Sequence, residues 1–141
     1  MATFLLKTEP DNYSYDDLVR DKRTHWNGVR NPTALMNMRE VRKGDEVFIY
    51  HTGKERRIAG LAVVVSDIYE DPENPGLTAK GDLKGPLFDI EPVRASTKDY
   101  TLADIKGDER FEGFDLVRLS RLSAMKVPPK LDKIIRKNCG L

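Results

Sequence analysis

Residues 46–65 read Glu46-Val47-Phe48-Ile49-Tyr50-His51, then Thr52-Gly53-Lys54-Glu55-Arg56-Arg57, then Ile58-Ala59-Gly60-Leu61-Ala62-Val63-Val64-Val65. Two runs rich in β-branched and aromatic residues flank a charged, glycine-containing loop, which is the pattern of a β-hairpin. The second run is apolar almost without interruption, so it predicts a strand covered on both faces or one that bends within a barrel. A hairpin of this kind needs further strands and helices to bury it, and the flanking sequence supplies both.

On the N-terminal side, Asn31-Pro32 places a capping side chain before a proline whose missing N–H costs nothing in the first helical turn. This predicts a helix running to about Val41 and stopping before Gly44. Further back, Ser14 with Asp17 three residues on has the form of a capping box and predicts a short helix near 15–20. Phe4-Leu5-Leu6, ending at Lys7, reads as a buried strand. On the C-terminal side, residues 70–86 hold Pro72, Pro75, Gly76, Gly81, Gly85 and Pro86 and predict an irregular loop. Phe88 to Val93 alternates like a strand, with Pro92 arguing for an edge. Thr101 with Asp104 marks another short helix, Phe114 to Leu119 reads as a strand, and Pro128-Pro129 precedes a basic helix ending near Gly140. The expected class is α+β, a small barrel with peripheral short helices, in one domain over 1–141.

The chain of 141 residues, 39% hydrophobic and 33% charged, is of a size and composition for one globular core. A net charge of +1 excludes a strong global field, so anion binding must be local. Residues 1–65 carry 11 basic and 9 acidic side chains, residues 66–115 carry 6 and 13, and residues 116–141 carry 7 and 1. An acidic middle and a basic tail can form two faces of one domain. The single cysteine, Cys139, cannot close an internal disulfide and misses the spacing of a prenylation box, which fits a reducing compartment. The opening residues lack the form of a signal peptide, and no stretch is long and apolar enough for a membrane span. The expectation is a cytoplasmic protein, or a nuclear one in a eukaryotic source, with no membrane partner.

His25 and His51 are the only histidines, and neither has a cysteine or histidine at metal-ligand spacing. Phosphate-loop, dinucleotide-binding and nucleophile-elbow patterns are also missing, so no metal or cofactor is expected. A serine–histidine–aspartate triad assembled in space stays open, while Asp16-Asp17 and Asp108-Glu109 read as solvated surface. The less ordinary content is polar and aromatic: Lys7-Thr8-Glu9-Pro10, Trp26-Asn27-Gly28-Val29-Arg30-Asn31 and Tyr50-His51-Thr52, each at an element boundary. Element ends around a sheet can aim several side chains into one pocket.

Leu5 to Asp11, Trp26 to Asn31 followed by Ala34 and Met38, Gly44-Asp45-Glu46-Val47 with Tyr50-His51, Ile58 to Ala62, Asp89 to Val93, Thr101 to Ile105 and Leu119 to Val127 resemble the EVE domain family in order and across essentially the whole chain. The resemblance implies a PUA-like fold, a small mixed β-barrel similar to the YTH domains that read methylated adenine in RNA. It also implies a non-catalytic reader of modified bases, mainly modified cytosines in DNA. Such a reader must meet its base flipped out of the duplex or single-stranded. Trp26 is the only tryptophan that can stack on it, and one stacked base contributes about 1–3 kcal/mol.

The base-binding candidates are Lys7, Thr8, Glu9, Trp26, Asn31, Tyr50, His51 and Thr52, and the phosphate candidates are Arg30, Lys54, Arg56, Arg57, Arg118 and Arg121. Each has a plainer reading. Trp26 can be core, Asn31 only a helix cap, Tyr50 packing, and Glu9 an ion-pair partner; Arg56 and Arg57 can be a solvated loop tip. Ser120 and Ser123, three apart, cannot share one face of a straight strand. An enzyme hydrolysing a modified base or nucleoside, with Glu9 or His51 as general base, is the alternative function. A docking surface on the basic final helix is a third. DNA and RNA are both open as partners, and so are a monomer and a weak homodimer.

Overall fold

The computed structural model describes Met1–Leu141. Strand β1 (Thr3–Thr8) contains the predicted Phe4-Leu5-Leu6 run and leads to α1 (Tyr15–Asp21). The capping box is present: Asp17 N–H donates to Ser14 Oγ at 3.1 Å, and Ser14 N–H to Asp17 Oδ2 at 2.8 Å. A two-residue strand, β2 (Thr24–His25), precedes α2 (Pro32–Met38), where Asn31 Oδ1 accepts from Thr33 N–H and Ala34 N–H. Strands β3 (Glu46–His51) and β4 (Arg57–Val64) form the hairpin.

The middle of the chain holds β5 (Tyr69–Glu70), β6 (Pro86–Leu87) and β7 (Asp89–Ala95). Then come α3 (Leu102–Lys106), a 3₁₀ turn at Glu109–Phe111, α4 (Asp115–Arg118), β8 (Ala124–Lys126) and α5 (Pro129–Cys139). Six strands make one mixed sheet in the order β2-β7-β4-β3-β1-β8, curled into a half-barrel. The β1–β3 pair is parallel and the others are antiparallel. The α+β class expected from the sequence is therefore the observed one.

The near-continuous apolar run of β4 has a local cause. The β3–β4 register shifts between Ile49 and Tyr50, leaving Ala59 as the extra residue of a bulge, and β7 shifts against β4 around Val93. Bulges bend a strand and raise its twist, so successive apolar residues of β4 reach the interior. Gly60 sits beside the first bulge, where a Cβ would lie 2.5 Å from the Tyr15 ring. That ring lies across the strand and donates from its hydroxyl to Leu61 O at 2.6 Å. Pro92 lies past the end of β2, which pairs only with Ile90 and Asp89, so its missing N–H leaves no ladder bond unmade on that side.

Three expectations need correction. Phe114 to Leu119 is not a strand: Gly113 (φ +81°) turns the chain, and Asp115–Arg118 forms a helical turn that buries Leu116. The apolar positions 114, 116, 117 and 119 fit i, i+3 pairs as well as alternation, and a run so short does not distinguish them. Helix α2 ends at Met38, three residues before the expected Val41, because Asp45 closes the next turn by accepting Arg42 N–H at 2.8 Å. Residues 70–86 are mostly irregular, but β5 and β6 pair across the base of that loop.

Candidate functional site

The parallel pairing of β1 with β3 sets Lys7 opposite Tyr50 and Thr8 opposite His51. Both strands therefore deliver polar residues at the same end of the sheet, as their C-terminal ends must in a parallel pair. Beside the end of β1 lies an open cavity of about 480 Å³. Its walls are the Lys7-Thr8-Glu9 strand end, the Asn12-Tyr13 turn before α1, the Thr24-His25-Trp26 segment, the chain from Asn27 to Arg30, and Ser123. The volume falls in the range of about 300–1,000 Å³ usual for small-ligand sites.

The backbone N–H of Trp26 donates to Phe88 O at 2.9 Å, extending the β2–β7 contact, and the residue is 7% exposed. It therefore belongs to the hydrophobic core and lines the cavity at once. Gly28 (φ +78°) adopts left-handed backbone on the cavity rim, a conformation that glycine takes without strain.

The polar rim is organised by short internal bonds. Thr8 Oγ1 donates to Tyr13 O at 2.6 Å, which leaves its oxygen as an acceptor. Glu9 is steadied through Oε2 by the Thr52 hydroxyl at 3.2 Å and through Oε1 by Asp11 N–H at 3.4 Å. Gly53 (φ +72°) makes room for that carboxylate, since a Cβ there would come within 2.6 Å of it. The Tyr13 hydroxyl donates to Asp21 at 3.0 Å, and burial raises its pKa. Lys7 donates to Ser120 O at 3.0 Å, and burial pushes its ammonium below the ordinary lysine value.

Of the base-binding candidates, the structure brings Lys7, Thr8, Glu9 and Trp26 together on this cavity. Tyr50 and Thr52 face a neighbouring cavity, with Lys7 shared between the two. Asn31 lines a separate groove, with its side-chain oxygen taken by the α2 cap. His51 is 4% exposed: its Nε2 accepts Tyr15 N–H at 3.0 Å and its Nδ1 lies 3.0 Å from Glu55 Oε1. Accepting with Nε2 puts the neutral ring's proton on Nδ1, so both nitrogens are occupied. That bond holds the Glu55 carboxyl below its ordinary value.

The cationic candidates are dispersed. Arg30 lines the Trp26 cavity, Arg56 the neighbouring one, and Arg118 and Arg121 the Asn31 groove. Arg118 is paired with Asp115 at 2.9 Å and Arg57 with Glu55 at 3.0 Å. Lys54 is exposed in the hairpin loop. Asn12, Tyr13, Thr24, His25, Asn27 and Ser123 also line the cavity, although no sequence motif marks them as site residues. The Ser14 cap contained part of the signal, because it marks residues 9–13 as the turn leaving the end of β1. A two-residue β2 has no readable periodicity, and reading 114–119 as a strand hid the turn that brings Ser123 over the cavity.

An EVE domain family model matches residues 2–138. The chain belongs to the EVE domain family. Human thymocyte nuclear protein 1 is 30% identical over 123 residues, covering 73% of this chain and 55% of the human one. The chain thus spans about half the length of the curated relatives it matches. Among solved structures, Rpa0253 from Rhodopseudomonas palustris superposes with a TM-score of 0.87 at 32% identity, covering 99% of this chain and 94% of that one. The human THYN1 protein in complex with 5-methylcytosine-containing DNA superposes at 0.86 with 25% identity, covering 97% and 96%. The PUA-like architecture is that of this EVE domain. No helix is long and apolar enough to cross a membrane.

Proposed function

We propose that this EVE domain binds nucleic acid and recognises a modified base, a modified cytosine in DNA being the favoured ligand, without performing chemistry on it. The observation that carries the reading is the open cavity of about 480 Å³ bounded by Trp26 and by the polar ends of β1. A flat heterocycle needs an apolar face and a few hydrogen-bonding groups, and this cavity presents Trp26, Tyr13 and Val29 amid Thr8, Glu9 and Asn27. The human relative solved with 5-methylcytosine-containing DNA supports the same ligand class.

In this reading the base reaches the cavity flipped or single-stranded. The flipping costs a few kcal/mol, which stacking on the indole and contacts to phosphate offset. Glu9 accepts from an exocyclic amine, Thr8 offers an acceptor, and Arg30 at the rim meets the backbone. Phosphate contacts position the strand and base-edge contacts choose among bases. The test is a binding screen of oligonucleotides, DNA and RNA, that differ only in one base modification, each measured at two salt concentrations. The expected result is tighter binding to a modified cytosine than to cytosine at both salts. Equal affinity for every modification overturns the reading.

A further inference from the structure

A second cavity, of about 290 Å³, lies on the other side of Lys7. The ends of β1 and β3, the hairpin loop, α3 and α4 enclose it, and its apolar surface comes from Tyr50, Leu102, Leu116 and Val117. Lys7, Arg56 and Lys106 reach it, while no carboxylate lines it. The three cations are also without acidic partners. Lys7 donates to Ser120 O at 3.0 Å and sits 5.8 Å from the centre of the Tyr50 ring, and Arg56 Nε donates to Gly53 O at 3.1 Å. Elsewhere Arg20, Arg23, Arg57, Arg110, Arg118 and Arg136 are each held by a carboxylate. Six of the twelve arginines are neutralised in this way, whereas none of the three cations lining this cavity has a carboxylate partner.

Unpaired cations around a low-dielectric pocket concentrate positive potential and attract anions. The half-buried Lys7 ammonium, disfavoured by burial, gains from a counter-charge placed there. The Lys7 ammonium lies over the Tyr50 ring, so what remains on the cavity floor is chiefly the aliphatic carbon of Leu102, Leu116 and Val117. Aliphatic carbon suits a sugar better than a second stacked base, because stacking needs an open aromatic face.

We propose that this cavity is a phosphate-ester subsite, in which Lys7, Arg56 and Lys106 hold the phosphate and Leu102, Leu116 and Val117 receive the carbon of the attached sugar. The proposal rests on the nucleic-acid reading above. Lys7 belongs to both cavities, so a strand with one base beside Trp26 carries an adjoining phosphate past Lys7 into the second cavity. The phosphate ester can come from that strand or from a free mononucleotide, and the experiment separates the two sources.

The test variant combines Arg56→Asn with Lys106→Gln. Both side chains are exposed and outside the Trp26 cavity, and asparagine tolerates the left-handed backbone at position 56 (φ +47°). Melting curves confirm that the variant is folded. Wild type and variant are titrated with 5-methylcytosine and cytosine oligonucleotides across a salt series. The slope of log K against log salt is expected to flatten by roughly 1.4 on single strands or roughly 1.8 on duplex, the release of two counterions. The ratio of modified to unmodified affinity is expected to stay at its wild-type value.

A parallel NMR titration with deoxycytidine 5′-monophosphate follows the amides of residues 102–117. Saturable shifts that vanish in the variant assign the site to a free mononucleotide, and a flattened salt slope assigns it to the strand. A variant with the wild-type slope and no lost mononucleotide shifts overturns the proposal. Failure of the base-reading itself looks different: wild type then shows no preference for 5-methylcytosine, while any slope difference between the two proteins is still measured.

Discussion

Thr8 and His51 face each other in register at the ends of β1 and β3, yet they end in opposite surroundings. Thr8 opens onto the Trp26 cavity, whereas His51 is sealed between Tyr15 N–H and Glu55. Both are polar residues at strand ends, and both look equally suited to contact a ligand. What separates them is the next element to arrive. The first turn of α1 lands on His51 and gives it a donor, while the chain from Thr24 to Arg30 stands back from Thr8 and leaves a hollow. A buried polar group is retained where it satisfies a neighbour, and an open one where it awaits something else.

The sharpest way to break this contrast is at the open side. Trp26→Ala is expected to weaken binding of a modified-base oligonucleotide by about 1–3 kcal/mol, roughly 5- to 150-fold, in a titration. Because Trp26 also belongs to the core, Trp26→Phe serves as the packing control, with a folded baseline read from melting curves. An unchanged affinity in a folded Trp26→Ala protein removes the cavity as the base site.

On the sealed side, His51→Leu leaves Tyr15 N–H without its acceptor and is expected to cost about 1–3 kcal/mol of stability in chemical denaturation. Its modified-base preference is expected to stay as in wild type. A folded His51→Leu protein that loses the preference moves His51 to the functional side.

Asn31→Ala removes the α2 cap and is expected to cost about 0.5–2 kcal/mol by the same measurement. A loss of base preference larger than the loss of stability identifies a second role for this side chain. Thr52→Val frees Glu9 of one hydrogen bond, with an expected cost of about 0.5–1.5 kcal/mol in ligand binding.

The smallest effect is acid-linked. Because the His51 hydrogen bond lowers the Glu55 carboxyl in the folded state, the stability it contributes is present above the unfolded carboxyl value of 4.5 and is lost as pH falls below it. His51 and Arg57 both contact that carboxylate. Glu55→Gln is therefore expected to flatten the fall in melting temperature below that pH, and parallel curves for the two proteins refute the linkage.

Much of this molecule was legible before any coordinates. The capping boxes at Ser14 and Thr101, the Asn31-Pro32 start and the 46–65 hairpin are local devices, complete within a few residues, and they appear where the sequence places them. The failures share a different feature. Phe114 to Leu119 carries too few residues to separate two periods, and the chain enters its helical turn at Gly113, which takes a left-handed φ. The two-residue β2 exists only because β7 offers it an edge. Among the candidate site residues, Lys7, Thr8 and Glu9 come together because they are consecutive, and Trp26 joins them across the fold. Asn31, Tyr50 and His51 were equally polar or aromatic, but their side chains turn to a cap, a neighbouring cavity and the interior.

The β3–β4 hairpin, the starts of the capped helices and the membership in the EVE domain family were determined by the sequence, because each rests on short-range pattern or on motifs in fixed order. Which polar end faces an opening was decided only by tertiary structure. Parallel pairing of β1 with β3 brings residues more than forty positions apart to one level, and the packing of α1 then covers one of them and spares the other. No local pattern encodes that choice, since it depends on what arrives from elsewhere in the chain.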